Sequence, residues 1–64
     1  MKKAIELIEK LIREHEDADY CTDYDRATEH MEIDLEQSTD MFYDAGRYET
    51  LVNLLNDLKK LEDN

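Results

Sequence analysis

Tyr24-Asp25-Arg26-Ala27-Thr28-Glu29-His30-Met31-Glu32-Ile33-Asp34-Leu35-Glu36-Gln37-Ser38-Thr39-Asp40-Met41-Phe42-Tyr43-Asp44-Ala45-Gly46 is the stretch whose reading decides the fold of this 64-residue chain. At about 100° per residue, Ala27, Met31, Leu35, Ser38, Phe42 and Ala45 fall within an arc of roughly 80°. Asp25, Glu29, Glu32, Glu36 and Asp40 fall on the opposite side, and Asp44 extends their row. The steps along that row are 4, 3, 4, 4 and 4 residues, the spacing of neighbours on one helix face. Like charges at that spacing repel, so the row weakens an isolated helix. Ile33 and Asp34 fit neither arc.

Outward from this stretch the helical pattern continues. There is no proline, Gly46 is the only glycine, and no segment alternates with period two. A first helix is expected over residues 3–18. Ala4, Ile5, Ile8, Leu11, Ile12 and His15 mark its apolar face, and Leu7 widens it. Glu6–Lys10 and Glu9–Arg13 are i,i+4 pairs in the favourable order. Residues 19–23 are rich in turn and cap formers and read as the connection. Thr22 or Asp23 suits an N-cap, with Asp25 complementing the dipole in the first turn.

The second helix is expected to span 24–62, with a break near 46 as the open question. Gly46 either ends a helix or sits inside one at a cost of about 1 kcal/mol. Ala45 and Gly46 extend the apolar face, which favours continuity. The leucines at 51, 54, 55, 58 and 61 form a stripe rotated from the earlier one, which favours a break. The expected fold is therefore all-α: a helical hairpin with a short first and a long second helix. A compact three-helix bundle is the alternative. A long second helix would leave Leu51, Leu54, Leu55, Leu58 and Leu61 uncovered, and these are the expected self-association face of a homodimer.

Charge narrows the function classes. Net charge is −10, unevenly spread. Residues 1–13 hold four bases against two acids, and residues 50–64 hold three acids against two bases. Residues 14–49 hold 13 acids against Arg26 and Arg47, a net −11. Direct binding to nucleic acid or an anionic membrane needs the opposite sign. The expected partner is a basic protein surface, reached with electrostatic steering. Asp25, Glu29, Glu32, Glu36, Asp40 and Asp44 are the candidate docking residues. Tyr24 and Tyr43, at the ends of the row, are candidate anchors because tyrosine is enriched in binding hot spots.

Other chemistry finds little footing. Asp17, Asp19, Asp23 and Asp25 crowd one segment, but neither calcium-loop register supplies the glycine at position six or the glutamate at position twelve. His15, Cys21 and His30 have no zinc-ligand spacing, and Glu-x-x-His is absent. No metal or other cofactor is expected. No glycine-rich phosphate loop or nucleophile–base arrangement can be assembled, so the chain is not expected to be an enzyme. Cys21 is the sole cysteine and reads as a reduced, partly buried small hydrophobe. The N-terminal apolar run is interrupted by Glu6, Glu9, Lys10 and Arg13. It therefore forms no signal-peptide core, and the expected location is cytoplasmic.

By size, acidity and helical character, the chain resembles the short accessory proteins encoded by bacteriophages and other mobile elements. The segment Tyr43-Asp44-Ala45-Gly46-Arg47-Tyr48-Glu49 resembles a pattern common in phage helical proteins. Many of those proteins bind and block one host protein, and some mimic nucleic acid to inhibit restriction or CRISPR nucleases. The resemblance thus implies an inhibitor occupying a basic, nucleic-acid-binding surface. The competing expectation is a structural adaptor that self-associates through the leucine stripe, its acids serving only to hold water.

Overall fold

The computed structural model describes residues 2–63. It is all-helical: α1 (Lys2–Asp17), α2 (Tyr24–His30) and α3 (Leu35–Asp63), with no strand among the described residues. α1 and α2 both pack on α3 and not on each other. Three helices are thus realised, with α1 and α2 arranged end to end along the long α3.

Local chemistry explains each boundary. α1 ends in a Schellman motif. Asp19 takes the left-handed conformation, φ 60°, at the position where glycine is usual. The amide of Tyr20 donates to the carbonyl of His15 at 3.3 Å, and that of Asp19 to Glu16 at 3.1 Å. The accompanying side-chain contact is Tyr20 edge-on against His15, with ring centroids 5.4 Å apart. Asp23 is the N-cap of α2; its carboxylate accepts from the amide of Asp25 at 2.9 Å. Of the two caps expected there, Asp23 is the one used.

The continuous helix expected over 24–62 is interrupted by a turn at residues 31–34. Asp34 is the reason. Its side chain accepts from the amide of Gln37 at 3.1 Å and its carbonyl from Ser38 at 2.9 Å, which makes it the N-cap of α3. Asp34-x-x-Gln37 is a capping pattern that an eye set on period 3.6 passes over. Its reciprocal half is missing, because Gln37 Oε1 meets His30 Nε2 at 3.0 Å instead. The two residues that fitted neither arc are therefore the turn itself.

The turn folds the apolar stripe back on itself. Ala27 of α2 comes to rest near Ser38 and Ala45 of α3, and all three are at most 1% exposed. Small side chains let the two backbones approach closely, and Ser38 Oγ donates to the carbonyl of Ala27 at 2.7 Å. That carbonyl needs a partner, because the amide of Met31 has turned to Thr28. Cys21 joins Ala27 and Ala45 in this core, with Met41 and Phe42 packed against it. Tyr24 meets Phe42 one turn further along, with ring centroids 6.1 Å apart. The pairing of 27 with 38 and of 24 with 42 makes α2 and α3 antiparallel.

α3 runs through Gly46 without a break. A Cβ there would lie 3.2 Å from the Tyr24 hydroxyl, so the glycine leaves room for that side chain. His15 meets Tyr48, ring centroids 5.3 Å apart, which places the end of α1 just past α2 along α3. α1 then has only the C-terminal half of α3 to lie on and runs antiparallel to it. Ile5 and Ile8 are buried there, and Leu51, Val52, Leu55 and Leu58 are half-buried. Each isoleucine contributes about 1.5–3 kcal/mol by that burial. The rotated stripe that favoured a break has another cause: α1 and α2 approach α3 from directions about a quarter-turn apart.

The result is an elongated layer of antiparallel helices, twisted by about a quarter-turn between its α2 and α1 ends, measuring 46 × 19 × 12 Å between extreme Cα positions. Its radius of gyration is 13.9 Å, against about 10.7 Å for a compact domain of this length.

Candidate interaction surface

The middle of the layer is held by His15, only 2% exposed. Its Nε2 lies 3.0 Å from the carbonyl of Cys21, which can only accept, so Nε2 carries a hydrogen. Nδ1 is buried without a partner. The Cys21 thiol donates to the carbonyl of Asp23 at 3.2 Å. These bonds tie the end of α1 to the connection that starts α2. Among the described residues no three His, Cys, Asp or Glu side chains converge as a metal site would require.

The acidic row does not survive as one stripe. The turn at 31–34 splits it, with Asp25 and Glu29 on α2, Glu32 in the turn, and Glu36, Asp40 and Asp44 on α3. Because the row lay opposite the apolar stripe, folding that stripe inward turns the acids to the two outer edges of the α2/α3 pair. All are exposed except Asp44, which is half-buried. Asp44 and Asp40 share a groove with Asp19 and Arg26 on one broad side.

Tyr24 and Tyr43 line the same open groove, about 550 Å³ in volume, with Phe42 and Gly46 between them. Tyr24 lies back across α3 towards Phe42 and Gly46 and stays 44% exposed. Hydrogen bonding towards the neighbouring Glu49 carboxylate holds the phenol above its ordinary pKa of 10.0, with partial desolvation and the Glu49 charge adding to the effect. Tyr43 points outward.

Sequence reasoning missed the tip of the hairpin. Met31, Ile33 and Leu35 are exposed there, Ile33 at 77%. Glu29, Glu32, Asp34 and Glu36 surround them in the chain. Met31 and Leu35 had been assigned to the apolar stripe, and the turn instead lifts them out at its apex. The signal was Ile33, an apolar residue out of phase with its neighbours.

Charge is segregated along the layer. Among the described residues one ion pair lies within 4.0 Å, Lys10 with Glu14, and both side chains are exposed. The Glu6–Lys10 and Glu9–Arg13 pairs expected from spacing are not closed. Of the net −11 of residues 14–49, Glu14, Glu16 and Asp17 belong to α1, and the remaining −8 sits at the end formed by the connection, α2, the turn and α3 up to residue 49. Fifteen residues of α3 measure about 22 Å. The acidic end thus carries about one net charge per 3 Å, between the one per about 1.7 Å of duplex nucleic acid and the one per about 3.4 Å of a single strand.

The leucine stripe divides. Leu51, Leu55 and Leu58 are half-buried beside α1, whereas Leu54 and Leu61 are exposed at 43% and 59%. No helix among the described residues is long and apolar enough to cross a membrane. No family model matches the chain, and neither a curated protein nor a solved structure matches it.

Proposed function

We propose that this chain is a non-catalytic binding module whose acidic α2/α3 end occupies a basic, nucleic-acid-binding surface of another protein. The observation that carries this reading is the charge density just described. A surface evolved to bind phosphates meets a rod whose net charge, about one per 3 Å, lies between that of a duplex and that of a single strand. Asp25 and Glu29 on one edge, and Glu36 and Asp40 on the other, supply charge, with Glu32 at the apex. Met31, Ile33 and Leu35 supply the apolar centre that binding surfaces enclose within a polar rim. Tyr43 adds an aromatic contact at the border. Inhibition of a nuclease or other nucleic-acid enzyme is the specific form that the resemblance to phage accessory proteins implies.

The test starts with a partner captured from the native host and purified. Its affinity for the chain should fall at least tenfold between about 0.1 and 0.5 M salt, because exposed charges are screened over a few ångströms at the higher value. Duplex nucleic acid should compete. Reversing Glu32 and Glu36 to lysine should abolish binding with helicity unchanged. Binding that ignores salt and survives the reversal ends this reading.

A further inference from the structure

The structure assigns a second interaction surface to the opposite end of the molecule: one broad face of the α1/α3 pair is a docking site for a second copy of this chain. The two copies run antiparallel, so that their acidic ends point away from each other. This inference is independent of the acidic docking surface.

Helix geometry places the face. On α1, Ile5, Ile8 and His15 point at α3, and Ala4, Leu7 and Leu11 lie about 90° to one side. On α3, Leu55 points at α1, and Leu51, Leu54, Leu58 and Leu61 lie about 80° to one side. In an antiparallel pair those two offsets bring both rows to the same broad face. The spacings agree with helix-on-helix packing: 4, 7, 11 on α1 and 51, 54, 58, 61 on α3 are runs of threes and fours. Leu7 is 56% exposed, as are Leu54 and Leu61 in comparable measure. The other broad face carries Glu9, Arg13, Asn56 and Lys59, with the half-buried Val52 as its apolar exception. A lone hairpin has no reason to sort its side chains in this way, because both faces would meet water.

Area and shape point to the same occupant. A folded monomer of this mass exposes about 4,300 Å². This chain exposes 5023 Å². The excess, roughly 700 Å², is close to the ~800 Å² that one partner contributes to a stable interface. Stacking two such layers face to face gives a four-helix bundle, the usual way for helical hairpins to acquire a second layer.

Charge selects a second copy and its orientation. Residues 2–17 of α1 carry net −1 and residues 50–62 carry none, so two of these ends can meet without strong repulsion. The net −8 of residues 18–49 at the other end opposes the side-by-side arrangement. A twofold axis perpendicular to the long axis overlaps only the α1/α3 halves. Overlap along the roughly 24 Å of α1 gives an assembly about 70 Å long from two 46 Å chains.

Sedimentation equilibrium and small-angle scattering on the full chain test this. The expected result is a species of twice 7.7 kDa with a maximum dimension of about 70 Å. Leu54→Glu combined with Leu61→Glu should weaken self-association on the order of 100-fold. Both positions are exposed, so helicity should be kept. Leu7→Glu tests the α1 row, and Asn56→Glu on the polar face should leave the dimer intact. A mass that stays at 7.7 kDa at the highest attainable concentration overturns the inference. So does a dimer that survives the Leu54/Leu61 change, or one whose maximum dimension stays near that of a single chain.

Discussion

Ser38→Ala is the substitution that most directly probes how this chain folds back on itself. Ser38 is 1% exposed, and its hydroxyl donates at 2.7 Å to the carbonyl of Ala27. That carbonyl has lost its own helical partner, because the amide of Met31 bonds Thr28 where the turn begins. Removing the hydroxyl leaves a buried carbonyl unpaired, which costs about 1–3 kcal/mol. For a domain of this size each kcal/mol moves Tm by about 4–8 °C, so the drop should lie between about 4 and 24 °C. Thr39→Ala is the control. The Thr39 hydroxyl donates to the carbonyl of Leu35 within its own helix, exposed to water, so its loss should be nearly neutral. Circular dichroism during heating and urea titration reads both, at one fixed chain concentration because self-association would move Tm by mass action. A Ser38→Ala protein within about 0.5 kcal/mol of the parent would refute the reasoning, since surface changes have effects of that size. It would mean that water already reaches the Ala27 carbonyl and that the α2/α3 junction is not closed.

Two further outcomes follow from local geometry. Asp19→Gly should stabilise the chain by about 0.5–1 kcal/mol, because φ 60° strains any residue with a Cβ and the aspartate also opposes the dipole at the end of α1; a loss of stability in urea titration would show that the Asp19 side chain makes a needed contact. Tyr24→Phe should alter only the alkaline limb of stability. The folded state holds the Tyr24 proton above pKa 10.0, so the unfolded chain releases it first, and the associated stability is lost as pH rises from about 10 through the folded value. The phenylalanine protein should lack that component. Identical alkaline profiles for the two proteins would show that Glu49 does not hold the phenol in solution.

Sequence alone determined much of this protein. The path through Gly46 was left between a continuous helix and a break, whereas the helical class, the first helix to within a residue at each end and an N-cap at Thr22 or Asp23 were legible. So was the concentration of charge in residues 14–49. Each depends on chemistry within a few residues: periodicity, a cap reaching two positions ahead, or a composition count. The tertiary structure decided what depends on residues far apart meeting. A helical stripe keeps its phase through a short turn, so Ala27, Ser38 and Ala45 look alike whether they lie along one helix or face each other across two. Burial of those small residues against each other settles the matter in favour of the turn at Asp34. That one reversal splits the acidic row between two edges, lifts Ile33 to the tip and gives Ser38 its partner. His15 likewise looks like an edge residue until Tyr20, Cys21 and Tyr48 close around it. The leucines past residue 50 read as a single stripe, but the position of α1 divides them into those it half covers and those left open for another surface.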